Sequence, residues 1–282
     1  MNPGTPSPAP DKADKAERRQ LSVAYFLYFA TAGLFLPYFP SYLRARGVDG
    51  VRIGWILALG PLMRVAVPPL LGFLADRARG PRFWGMVAAW GAVTALAVVW
   101  AGDGYAMLLL GAFLYSTFTA PAIPLLDAST VQYMGRTASR FGHIRLWGSV
   151  GFVVCSFGLG FAFPGLPAAV IIVSLVGSHL LFALFISAAR IEDAPAARPH
   201  WRELPQLLRK SSVWLLLLTL FLNRAASAPF NGFYTLFVQE GGLGGGVVAW
   251  TWGIAITAEI ALMTAVDRYI DRFGTGRVLA AG

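Results

Sequence analysis

Charge is what this sequence has least of. Only 13% of its 282 residues are Asp, Glu, Lys or Arg, about half the share of an ordinary soluble domain. Hydrophobic residues make up 56% and the mean hydropathy is +0.60, a balance that belongs in lipid. Lysine is scarce, at Lys12, Lys15 and Lys210, and none follows the glycine-rich turn that cradles phosphates, which excludes an ATP-driven pump. A single cysteine, Cys155, cannot build a disulfide framework, and His143, His179 and His200 are too scattered for a histidine metal cluster, so no metal or cofactor is expected. Neither H-E-x-x-H nor a compact aspartate pair is present, which argues against a membrane-embedded enzyme. The net charge of +9 comes from Lys and Arg set in short clusters between apolar runs, so it gives no nucleic-acid-binding face.

What the sequence has is long apolar runs. A spanning helix needs about 20 such residues, and eight runs qualify: Leu21 to Leu43, Ile53 to Ala75, Phe83 to Ala101, Tyr105 to Leu126, Leu146 to Phe163, Ala168 to Ala189, Ser211 to Gln239 and Val247 to Val266. A ninth begins at Val278. Residues 1–20, with four prolines and then Lys12, Lys15, Arg18 and Arg19, read as a disordered tail. The first run is too long for a signal-peptide core. With that tail in the cytoplasm, 17 of the 23 basic residues fall in cytoplasmic segments and only Arg44, Arg46 and Arg52 in exported ones, as the positive-inside rule requires. The expectation is a multi-pass protein of the cytoplasmic (inner) membrane with its amino terminus inside. The loop at 190–210 contains Trp201, Leu204, Leu207 and Leu208 among charges and could lie as a short helix on the membrane surface.

Sliding the sequence against itself by 195 residues aligns Phe26 with Phe221, Gly47 with Gly242, Trp55 with Trp250, Asp76 with Asp271, Arg77 with Arg272 and Arg82 with Arg277. Chance matches in apolar sequence would favour Ala and Leu over Trp, Asp and Arg. A same-orientation repeat of six helices is the plan of a transporter with two parallel halves. It predicts an amino-terminal six-helix bundle over 21–189, a central cytoplasmic loop over 190–210 and an incomplete carboxy-terminal bundle over 211–282, within a parent of about 390 residues. On this reading the chain is truncated at its carboxy terminus, as part of a longer transporter or, alternatively, as a fragment that does not itself transport.

Two motifs carry a family resemblance. Gly72-Phe73-Leu74-Ala75-Asp76-Arg77-Ala78-Arg79-Gly80-Pro81-Arg82 resembles the major facilitator loop signature, with Gly72, Asp76, Arg77, Gly80 and Arg82 in place. Pro124-Leu125-Leu126-Asp127-Ala128, followed by Phe141-Gly142-His143-Ile144-Arg145-Leu146-Trp147-Gly148, resembles the group containing phenylpropionate permease, nucleoside:proton symporters and lactose permease. The resemblance implies an all-α major facilitator fold of eight transmembrane helices and the start of a ninth. It also implies proton-coupled symport of a small organic solute, with Asp127 at the end of helix four and Arg145 at the start of helix five helping to bind it. Ser227 stands where that group often has histidine, so the solute's identity does not carry over. An antiporter or efflux permease of the same superfamily is the rival reading; the glycine-proline signature usual in its helix five is absent from Leu146 to Phe163, which favours symport.

Charges inside a membrane are costly and mark cavities. Arg64 and Glu259 lie mid-run and are paired by the repeat at one depth, near the midplane where solutes sit. Glu259 is the candidate proton carrier, with an arginine nearby to favour its charged form. Arg64, Asp127 and Arg145, with hydroxyls from Tyr28 and Tyr38, are the candidate solute contacts. Arg224 can line a cavity or snorkel. The expected partners are protons, the lipid bilayer and a small solute: an organic anion, a sugar or a nucleoside.

Overall fold

In the computed structural model the described residues, 12–75, 81–136, 141–163, 165–189 and 209–273, are almost wholly helical, with no strand among them. The described residues form nine helices, α1 Lys12–Ala45, α2 Gly50–Ala75, α3 Pro81–Ala101, α4 Gly104–Thr119, α5 Ala122–Arg136, α6 Phe141–Ala162, α7 Ala168–Ala188, α8 Ser211–Glu240 and α9 Gly245–Phe273. Helices are the form in which apolar chain can satisfy every backbone group without water. Seven stretches are long and apolar enough to span a bilayer, and α4 with α5 counts as one of them, running from Gly104 to Gly135. Gly245–Ala261 is a shorter apolar helix within α9.

Three sequence boundaries move. Residues 12–20, assigned to a disordered tail, are the first turns of α1, held where the Tyr133 hydroxyl donates to the Asp14 carbonyl at 3.1 Å. The fourth run does not end at Leu126, because helix continues to Arg136, and the fifth starts at Phe141 rather than Leu146. Polar residues at these ends lower hydropathy although the chain there remains helical, so an apolar window closes too early. The central loop, the loop-signature residues Asp76, Arg77 and Gly80, and the run starting at Val278 lie outside the described residues. Gly72 lies within α2, and Arg82 opens α3 with Nη2 3.3 Å from the Ser187 carbonyl.

The core is centred on α1, packed between α6 and α7. Close approach to α6 depends on glycine: a methyl group at Gly151 would overlap the Phe26 carbonyl, and one at Gly33 the Phe152 carbonyl. Small residues take this role because lipid supplies no hydrophobic drive to press helices together. Across the bundle the buried Tyr38 hydroxyl donates to the Ser156 carbonyl at 2.6 Å, and Tyr42 to the Val99 carbonyl at 3.1 Å.

The repeat is visible in backbone geometry. Gly47 and Gly242 both have positive φ, 78° and 75°. Each closes a helix with the same hydrogen bonds: Val48 N to Leu43 O and Gly47 N to Arg44 O, against Leu243 N to Val238 O and Gly242 N to Gln239 O. This is the glycine-terminated Schellman pattern, made twice 195 residues apart.

Contacts between α8–α9 and the rest gather at the end of the molecule that carries these two turns. There Arg44 Nη2 meets Glu240 Oε1 at 3.1 Å, Gly160 approaches Gly245 and Ala249, and Phe152 packs on Trp252 at 5.5 Å between ring centres. Phe230 lies 5.5 Å from Trp252, and Trp250 sits edge-on to Phe157 and Phe161. Toward Lys210, α8 is exposed from Ser211 to Ala226 apart from Val213, as is most of α2 from Pro61 to Leu70. Among the described residues, the packing of α8 and α9 on the other helices is thus concentrated at the Gly47 end.

Candidate functional site

The extended helix at α5 places Asp127 one and a half turns inside it rather than at its end, and Arg145 is one turn into α6. They meet: Arg145 Nη1 is 3.5 Å from Asp127 Oδ1, the side chains 37% and 34% exposed. The fully buried Tyr25 hydroxyl donates to that same oxygen at 2.5 Å. Behind it the buried Thr130 hydroxyl lies 3.3 Å from the Tyr25 oxygen and 2.8 Å from the Leu126 carbonyl. The Arg145 guanidinium also rides over the Phe29 ring at 5.8 Å.

What this cluster leaves open defines its chemistry. Both partners of Asp127 use Oδ1, so Oδ2 has no partner among the described residues. The Arg145 contact is longer than a hydrogen bond, so the planar fork keeps its donors. One face therefore offers a donor fork beside a carboxylate acceptor, a pair suited to a carboxylate or to vicinal hydroxyls.

The other expected residues separate. Tyr28 lies beside this cluster, its ring edge-on to Phe29 at 5.6 Å and to Phe182 at 5.7 Å. Arg64 is exposed on α2. Tyr38 does not offer a cavity hydroxyl, because its O–H is committed to Ser156 inside the core. Glu259 is exposed on α9 and is not brought to Arg64 or to any other base among the described residues. Arg224 is exposed on α8, and Ser227 donates to the Asn223 carbonyl at 2.9 Å, the ordinary helical arrangement. No group of three metal-ligating side chains occurs among the described residues.

Sequence reasoning missed Tyr25, Thr130, Tyr115 and His179. Thr130 had a signal, since three residues after Asp127 it shares a face with a marked residue, whereas Tyr25 had none, being one of many aromatics in α1. Tyr115 and His179 had none, being single polar residues inside apolar runs.

Comparisons with known proteins agree with this architecture. The MFS_1 like family matches residues 18–282. Maltose permease of Geobacillus stearothermophilus is 30% identical over 272 residues, covering 94% of this chain and 68% of that protein. The probable 3-phenylpropionic acid transporter of Escherichia coli (strain K12) is 28% identical over 262 residues, covering 90% of this chain and 68% of its own length. The crystal structure of the nucleoside transporter NupG superposes with a TM-score of 0.74 over 92% of this chain and 68% of that one, at 18% identity, a likeness of fold.

Proposed function

Because the chain belongs to the MFS_1 like family of membrane transporters, we propose that it carries a small organic solute together with protons, through one cleft exposed alternately to the two sides of the cytoplasmic membrane. The observation that carries the solute site is the unsaturated Arg145 fork beside Asp127, held inside an apolar bundle by Tyr25. An arginine in such a place is retained at a cost unless it meets a ligand. Arg64 and Tyr28 extend the site, and three arginines within apolar runs against two carboxylates favour an anion.

Proton coupling is assigned to Glu259, the carboxylate set midway along the eighth apolar run, because ionisable groups inside spanning segments mark proton and solute paths. The proposed orientation puts the tail before α1 in the cytoplasm, on the positive-inside argument. The cleft then opens inward and the Gly47 end seals the outside. Residues 21–189 would form one half of the transporter and 211–282 part of the other.

The test is uptake into proteoliposomes under an imposed pH gradient, with 3-phenylpropionate, maltose and a nucleoside as probes, the solute classes for which its relatives and structural neighbour are named. Gradient-driven accumulation of one probe, abolished by Glu259→Gln, is expected. Accumulation indifferent to both the gradient and the substitution would remove the coupling and leave the solute site standing.

A further inference from the structure

Charge is sorted by face on the first turns of α1. Asp14 and Glu17 fall at a helical spacing that continues through Leu21 and Ala24, both fully buried, so the acidic side chains stand on the side turned toward the bundle. They are half-buried there, whereas Lys15, Arg18 and Arg19 are exposed on the other side. The segment is fastened in this rotation: the Tyr133 hydroxyl of α5 donates to the Asp14 carbonyl at 3.1 Å, and Glu17 is engaged in an interaction of its own. Arg18 stands one turn after Asp14 without pairing with it. Among the described residues no ion pair or hydrogen bond neutralises Lys15, Arg18 or Arg19.

Helix geometry sets the depth of these cations. At 1.5 Å per residue the apolar run from Leu21 to Leu43 is about 34 Å long, enough to cross a hydrocarbon core of about 30 Å. Lys15, Arg18 and Arg19 then stand about 3 to 9 Å beyond Leu21, within the layer, roughly 5–8 Å thick, that lipid headgroups fill. Lysine and arginine suit that layer, because their stems lie on apolar surface while the charge reaches the phosphates.

We propose that Lys15, Arg18 and Arg19 form a binding surface for the phosphates of anionic phospholipids. Charge complementarity selects the occupant, since three cations with no counter-charge in the protein face the layer where lipid phosphates lie. A zwitterionic lipid brings an ammonium group that the same cations repel, so the surface prefers lipid of net negative charge. Lipid held there fixes the depth of α1, the helix at the centre of the core. The proposal needs only a chain that spans the membrane; solute, proton and orientation do not enter it.

The experiment is native mass spectrometry of the whole chain in neutral detergent, titrated with phosphatidylglycerol or phosphatidylcholine. Phosphatidylglycerol should bind at least about tenfold more tightly, and less so as ammonium acetate is raised. Lys15→Gln, Arg18→Gln and Arg19→Gln should each weaken it about fivefold. Arg18→Lys with Arg19→Lys should keep the affinity, because phosphate accepts a point charge, and this separates lost charge from a lost fold. Arg44→Gln with Arg52→Gln, which removes two exposed cations at the other end of the span, should also keep it. Equal binding of the two lipids overturns the proposal, as does full affinity in the triple glutamine variant. So does an equal loss in the lysine variant or in Arg44→Gln with Arg52→Gln. Displacement of the lipid by inorganic phosphate at the same concentration would show a general anion site and overturn the assignment to lipid.

Discussion

At the scale of single residues, Asp127 depends on one neutral donor and one cation that share an oxygen. A hydrogen bond to a charged group contributes about 1.5–3 kcal/mol. Tyr25→Phe should therefore let the carboxylate swing and raise the half-saturating solute concentration about tenfold, or ~1.4 kcal/mol, with little change in maximal rate. Arg145→Lys tests fork against charge. If two parallel donors matter, lysine should be nearly as inactive as glutamine in the uptake assay; retained transport would mean that a point charge suffices. The Asp127–Arg145 pair was legible in the sequence because two charges interrupt apolar runs at a family-like spacing. Tyr25 was not, because helix one is crowded with aromatics and only packing decides which hydroxyl faces inward. Tyr38 illustrates the same limit, since a tyrosine in an apolar run is equally at home in a cavity or in a core bond.

At the scale of helices, glycine separates two kinds of position on α6. Gly151 abuts the Phe26 backbone, whereas a methyl at Gly158 would meet open space. Gly158→Ala should stabilise by up to about 1 kcal/mol through helix propensity. Gly151→Ala should destabilise by about 1–3 kcal/mol by forcing α1 and α6 apart. Thermal unfolding in detergent reads both, and the two changes should have opposite sign. The helices themselves were legible as long runs, and the repeat foretold that Gly47 and Gly242 stand in equivalent places. The break between α4 and α5 was signalled by Pro121 and Pro124, which remove two backbone donors. The continuation of α5 to Arg136 was hidden, because Asp127, Ser129, Thr130 and Gln132 read as the approach to a loop although they lie on helix.

At the scale of the whole molecule, an exposed ion pair and an aromatic cluster close the Gly47 end, and they should not contribute equally. Arg44 and Glu240 are 51% and 65% exposed, and a pair so wet is worth about 0–1 kcal/mol. Glu240→Gln should accordingly leave the closed state nearly as populated. Trp252→Ala removes a ring that bridges Phe152 and Phe230 and should loosen the closure. Alkylation of the sole thiol, Cys155, which packs against that core, should accelerate several-fold in Trp252→Ala and change little in Glu240→Gln.

A seal made mainly of rings has a thermodynamic signature. Under the alternating access proposed above, each opening of the Gly47 end would wet apolar surface, so it should carry a positive heat-capacity change and be opposed chiefly by water's entropy near room temperature. The ratio of the two exposures would then follow a curved rather than a straight van't Hoff plot. Excluded solutes such as sucrose would favour the closed form, and urea the open one. The rate of exchange between the two sides of the membrane would thus answer to temperature and to the solvent, as well as to whatever occupies the cleft.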